Sequence, residues 1–213
     1  MRPCTAVYGG MFDPVHNGHI EAARFALRQL QLDRLKMVPC SKPNHREDAT
    51  VKSAHRLRML ELATINDPDI EIDPIEINRE GISYTSETLE AYKRLNPETD
   101  LVFVMGMDSL NSLPTWHDYG SILMNSNLFV LSRPGEEILE KVVEPLDLQH
   151  RKVENRQELL AKRAGGILLT DEFQFDISSS RVRDNLQNGV GVTDQLDQEV
   201  LSYIRNNNLY GWK

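Results

Sequence analysis

Residues 4–30 read CTAVYGGMFDPVHNGHIEAARFALRQL, and this stretch decides the architecture. Cys4–Tyr8 is a short apolar run with β-branched content, which predicts a buried strand. Gly9 and Gly10 permit a tight turn, and Ile20–Leu30 carries its apolar residues at helical spacing. A strand, a glycine turn and a helix in immediate succession open a β-α-β unit.

Further strands are predicted at Leu35–Val38, Ile70–Ile72, Leu101–Met105, Leu128–Leu131 and Ile167–Leu169. Helical patterns fall between and after them at Ala54–Ile65, Ser86–Leu95, Ile138–Val143, Glu158–Arg163, Ser180–Leu186 and Gln195–Arg205. This alternation predicts an α/β, Rossmann-like, doubly wound fold: a mainly parallel sheet with helices on both faces. We expect one compact domain over residues 1–213, with the polar stretch Pro145–Arg156 as a surface excursion.

The formal net charge is −8 at pH 7, which argues against nucleic acid or a membrane surface as partner. No eighteen apolar residues run together and the N-terminus has no long apolar core, so a cytoplasmic protein is expected. Cys4 and Cys40 fall at the start of one parallel strand and past the end of another, which predicts two free thiols.

In open parallel sheets, ligands bind beyond the carboxyl ends of the strands. Gly9-Gly10, Lys42 to Arg46, Gly106-Met107-Asp108, Arg133-Pro134-Gly135 and the Ser178–Arg183 cluster all follow predicted strands. At the first of these edges Asn17 reads as a helix N-cap, and His16 and His19, three apart, can face one way at the positive end of the helix. Two imidazole N–H donors beside a glycine turn suit a phosphoryl group. Zinc would need further ligands, and no cysteine or acidic cluster offers them at a recognisable spacing, so no resident metal is expected. Ser178, Ser180 and Arg183 place hydroxyls and a guanidinium at a second helix start, which also suits phosphate.

The segment Gly9–His19 resembles the Gly-Gly-Thr/Ser-Phe-Asp-Pro-x-His-x-Gly-His signature of the HxGH nucleotidylyltransferase superfamily, and specifically that of bacterial nicotinate-nucleotide adenylyltransferases. Gly81-Ile82-Ser83-Tyr84-Thr85 before Thr88-Leu89, then Gly106-x-Asp108-Ser109, Thr115-Trp116, Ile177–Arg183, Tyr203-Ile204 and Leu209-Tyr210 follow that family in order. The resemblance implies transfer of AMP from ATP to nicotinate mononucleotide, giving deamido-NAD and pyrophosphate, with Mg²⁺ accompanying ATP. It implies His16, His19 and Arg183 at the reacting phosphates, and Gly9, Gly10, Phe12, Gly18, Gly106, Asp108, Ser178 and Ser180 around ATP. Lys42, His45, Arg46, Tyr84, Thr85, Trp116 and Arg133 would receive the acceptor.

Two positions depart from the signature. Met11 stands where the family has Thr or Ser, and Pro43-Asn44-His45-Arg46 replaces Pro-Pro-His-Lys. A thioether cannot donate the hydrogen bond a hydroxyl gives to phosphate, a loss of about 1.5–3 kcal/mol if uncompensated. Alternatives stay open at this point: adenylyl or cytidylyl transfer to nicotinamide mononucleotide, pantetheine phosphate or glycerol phosphate, a nucleotide-binding sensor without turnover, and assembly as a homo-oligomer.

Overall fold

The computed structural model describes residues 2–42, 49–79, 81–132, 135–175 and 177–212. Among them, one parallel sheet is built from β1 (Cys4–Gly10), β2 (Leu35–Pro39), β3 (Ile70–Ile72), β4 (Asp100–Gly106), β5 (Asn127–Leu131), β6 (Lys152–Val153) and β7 (Ile167–Thr170). The order across the sheet is β3-β2-β1-β4-β5-β7-β6. The helices are α1 (Asn17–Leu30), α2 (Ser53–Ala63), α3 (Thr85–Leu95), α4 (Met107–Ser112), α5 (Tyr119–Asn125), α6 (Glu140–Val143), α7 (Leu148–Arg151), α8 (Arg156–Ala161), α9 (Ser179–Gln187) and α10 (Gln198–Asn206).

The predicted α/β, doubly wound architecture is the one observed. Strand residues divide by parity between two cores. Val102, Val104, Phe129 and Leu131 face α1, α9 and α10, whereas Leu101, Phe103, Met105, Leu128 and Val130 face α3, α4 and α5. On the first face Ala22, Ala23 and Ala26 present only methyl groups, so α1 lies close against the strands. The strand order reverses direction between β1 and β4, and at that switch point the carboxyl ends of both strands carry glycine, Gly10 and Gly106.

Two readings need correction. Pro145–Arg156 is not a mere surface excursion: Leu146, Leu148 and Val153 are buried, α7 forms there, and β6 pairs in parallel with β7 through Lys152–Ile167 and Val153–Leu168. A two-residue edge strand is too short to show alternation, so periodicity misses it. The helices α4 and α5 were not anticipated either. They have six and seven residues rich in Ser, Asn and Gly, and α5 is capped by the Asp118 side chain, on a left-handed residue, which accepts from the Ser121 N–H.

Both cysteines are free, and burial pushes the Cys4 thiol up to about 11. Asn127 is fully buried at the start of β5. It donates to the carbonyls of Leu159 and Lys162 and accepts from the Gly166 N–H, tying α8 and β7 to the sheet. Glu76, between β3 and α3, accepts from the Thr88 hydroxyl at 2.8 Å and is bonded to Ser83, so it braces the entry to α3. Burial pushes its carboxyl up, against hydrogen bonds that favour the charged form.

Replacing Asn127→Ala removes three hydrogen bonds to backbone groups, those to the Leu159 carbonyl and the Gly166 N–H being buried, and is expected to lower stability by about 1–3 kcal/mol in urea unfolding. For Glu76, the raised folded value means its contribution is full below the unfolded value of 4.5 and is lost as pH rises through the raised one. Glu76→Gln should therefore gain thermal stability over the parent at pH 8 and match it near pH 4; a gain at low pH only would contradict the assignment.

Candidate active site

Beyond Gly10 the chain leaves the sheet through Phe12, whose φ is +48°, and a cis Asp13–Pro14 peptide. The Phe12 ring is buried and folds back under the turn: a Cβ at Gly10 would lie 2.9 Å from its Cζ. Phe12 also sets its ring edge-to-face with Tyr8 and with His19. Phe12 is thus the packed floor of the loop as well as a lining residue.

The N-cap of α1 is His16, not Asn17. Asn17 is the first helical residue, and it spends its polar groups on a distant segment, its N–H on the Gln195 carbonyl and its Nδ2 on that of Asp194. The backbone N–H of His16 donates to Nδ1 of His19 at 3.2 Å. With Nδ1 accepting, the neutral His19 ring carries its proton on Nε2. The two imidazoles stack with centroids 3.6 Å apart. Gly18 makes room for this, since a Cβ there would stand 3.1 Å from His16 Nδ1 and 3.4 Å from Ile177 Cβ.

That contact with Ile177 leads to the second element. Ser178 caps α9 by accepting from the Arg181 N–H, and Ser179 donates to the Pro14 carbonyl at 3.1 Å. Arg183 donates from Nη1 to the Asp13 carbonyl at 2.7 Å and from Nη2 to Ser180 Oγ at 3.3 Å. Two short sequence elements 170 positions apart are therefore bonded into one surface.

Several residues that hold this surface were not singled out in the sequence. Asp13 is 4% exposed, and its carboxylate accepts from the Thr50 N–H at 2.6 Å and the Tyr210 hydroxyl at 2.7 Å. Arg56 is 0% exposed and donates to the carbonyls of Met11 and Ser41 at 2.7 and 3.1 Å. Burial pushes the Arg56 guanidinium down and the neighbouring Asp13 carboxylate holds it up; it stays charged, as arginine does in proteins. Burial and Asp13 together push the Tyr210 hydroxyl up, keeping it a donor. Arg56 had a sequence signal, for it heads the apolar stripe Arg56-Met59-Leu60 of α2, where a cation needs a buried partner.

Across the cleft, Gly106 precedes α4, and a Cβ there would meet Asp108 Oδ1 at 2.8 Å. Asp108, Thr85 and Trp116 line the cavity; the Trp116 ring meets Phe103 edge-on and its Nε1 donates to Ser112 Oγ. Together with Gly9, Gly10, Phe12, His16, Gly18, His19, Ser178, Ser180 and Arg183 these enclose an open cleft of about 860 Å³. Lys42 and Tyr84 do not line it: Lys42 is exposed, with its carbonyl taking the Ser83 N–H, and Tyr84 lays its ring against His117 at 4.1 Å. His45, Arg46 and Arg133 lie outside the described residues. Among the described residues, no three His, Cys, Asp or Glu gather where they could hold a metal ion, and no helix is long and apolar enough to cross a membrane.

Comparison with known proteins identifies the family. A family model for cytidylyltransferase-like proteins matches residues 7–185. A probable nicotinate-nucleotide adenylyltransferase of Shigella boydii serotype 4 (strain Sb227) is 36% identical over 99% of this chain and 100% of its own. The fold is similar to that of Plasmodium falciparum nicotinic acid mononucleotide adenylyltransferase complexed with NaAD, with a TM-score of 0.77, 19% identity and coverage of 99% and 98% of the two chains. It is also similar to that of a nicotinate-nucleotide adenylyltransferase assigned in Vibrio parahaemolyticus, with a TM-score of 0.65, 14% identity and coverage of 98% and 96%. By its residues 7–185 and by its full-length relatives, this chain belongs to the cytidylyltransferase-like family and, within it, to the nicotinate-nucleotide adenylyltransferases.

Proposed function

We propose that the cleft transfers AMP from ATP to nicotinate mononucleotide, giving deamido-NAD and pyrophosphate, and that His16, His19, Ser178, Ser180 and Arg183 are its phosphate-binding groups. The observation that carries this reading is the bonding of the histidine loop to the start of α9 at the switch point of the sheet. Donors from both elements there face one cavity. The names borne by the full-length relatives support the acceptor.

The chemistry needs no protein nucleophile. A phosphomonoester has its second pKa near ~6, so at neutral pH the acceptor is a dianion able to attack the α-phosphorus of ATP. One P–O bond forms to the acceptor, the α–β bridging bond breaks, and its electron pair leaves with pyrophosphate. Catalysis then consists of holding two anions in line and meeting the charge that builds on the equatorial and leaving oxygens. Mg²⁺ enters as part of the nucleotide substrate. His19 Nε2–H, on a ring held at Nδ1 by the backbone N–H of His16, and the fixed guanidinium of Arg183 supply donors that require no reorganisation on binding.

On the acceptor side, Trp116 offers a ring edge and face beside Thr85 and the first turn of α3, a suitable seat for a flat carboxylated ring. Lys42, His45, Arg46 and Arg133 are proposed to meet the acceptor.

Pyrophosphate release should be seen with ATP and nicotinate mononucleotide, and should be weaker with nicotinamide mononucleotide and with CTP in place of ATP. Nucleotide binding without release under any acceptor would reject the enzyme reading. His19→Ala is expected to lower kcat by ~10²-fold or more with an unchanged circular dichroism spectrum; near-normal turnover would remove His19 from the reacting centre.

A further inference from the structure

We infer that Tyr210 is a positioning residue for adenylyl transfer: its hydroxyl holds the Asp13 carboxylate, and through Asp13 it fixes the seat of Arg183. The inference rests on the phosphate role proposed above for Arg183.

Asp13 is gripped from three sides by three separate segments. Thr50 N–H bonds one carboxylate oxygen at 2.6 Å, Tyr210 bonds the other at 2.7 Å, and Arg183 bonds the backbone carbonyl at 2.7 Å. Because side chain and carbonyl belong to one residue, the two carboxylate bonds set the direction in which that carbonyl points. The carbonyl in turn sets where the guanidinium lies along the cleft wall. A change of 1 Å in such a seat can cost ~10²-fold in rate.

The C-terminal turn that presents Tyr210 is built against local preference. Asn208 and Tyr210 both have positive φ, +50° and +58°, a region that non-glycine residues seldom adopt. Such conformations persist where the surroundings over-determine them, and they concentrate at functional positions. Here the surroundings are specific: the Tyr210 ring is 4% exposed, Leu209–Gly211 packs against α9, and Arg205 lies over the Trp212 ring. The turn thus rests on the helix that carries Arg183 and reaches past it to the loop that Arg183 touches.

A purely structural anchor would give the same contacts but a different coupling. The test is a double-mutant cycle read by pyrophosphate release with ATP and nicotinate mononucleotide at 25 °C. Tyr210→Phe keeps the ring and removes the hydroxyl; we expect kcat to fall about tenfold while the KM for the acceptor stays within about twofold. Its melting temperature should drop by roughly 2–10 °C, leaving the protein folded at the assay temperature. In an Arg183→Ala background the same substitution should change kcat by less than about twofold, because the group it positions is gone.

Losses that multiply, or an unchanged kcat in Tyr210→Phe, would overturn the inference while leaving the proposed function standing. If Arg183→Ala alone leaves kcat intact, the phosphate role of Arg183 fails, and this inference fails with it. Should Tyr210→Phe not fold, Asp13→Asn replaces it in the cycle: it exchanges one of the two carboxylate acceptors for a donor, and its loss must likewise vanish in the Arg183→Ala background.

Discussion

The 2.7 Å hydrogen bond from Arg183 to the carbonyl of Asp13 is the contact on which the site depends, because it joins the two ends of a chain whose sheet alone would leave them apart. A doubly wound sheet brings the loops after β1 and β7 to the same edge, but β4 and β5 stand between those strands. The gap is closed by side chains. Ser179 on Pro14, Ile177 against Gly18 and Arg183 on Asp13 form a seam between α1 and α9, and the groups proposed to meet phosphate stand along it.

Behind that seam lies a buried ionic frame. Arg56 holds the carbonyls of Met11 and Ser41, Asp13 takes Thr50 and Tyr210, and the two charges sit close enough to influence each other. Isolated buried charges are costly; here both Asp13 carboxylate oxygens accept hydrogen bonds and both Arg56 Nη groups donate them, while Arg56 Nε is buried without a hydrogen-bond partner among the described residues. The frame also bears on Met11, where the family's hydroxyl is missing. Its carbonyl is pinned by Arg56, so the backbone path of the loop is kept although the side-chain donor is not.

Much of this was legible in residues 4–30 and in the spacing of the apolar runs. The strands at Cys4, Leu35, Ile70, Leu101, Leu128 and Ile167 are long or apolar enough for periodicity to reveal them. β6, α4 and α5 fall below that length and are made by tertiary contacts and a single cap. In the site, glycines, histidines, serines and Arg183 announce themselves by type and spacing, whereas Asp13, Thr50 and Tyr210 act through bonds spanning 37 and 197 positions. No local pattern can encode such a pairing. The packing of Tyr84 against His117, which takes its ring out of the cleft lining, is likewise a contact between residues remote in sequence.

A chain of net charge −8 that handles two polyanions must do so with geometry and not with bulk charge. The donors assembled at the cleft are few, but several are already oriented: His19 by the His16 N–H, Arg183 by Asp13 and Ser180, and Ser178 by the start of α9. Orientation in advance removes the entropic cost of arranging them around each substrate, and a partly enclosed cleft strengthens each contact relative to water. The glycines serve the same end by subtraction. At Gly10, Gly18 and Gly106 a single added carbon would press on Phe12, His16 or Asp108, so the absence of three side chains lets these three stand where they line the cleft.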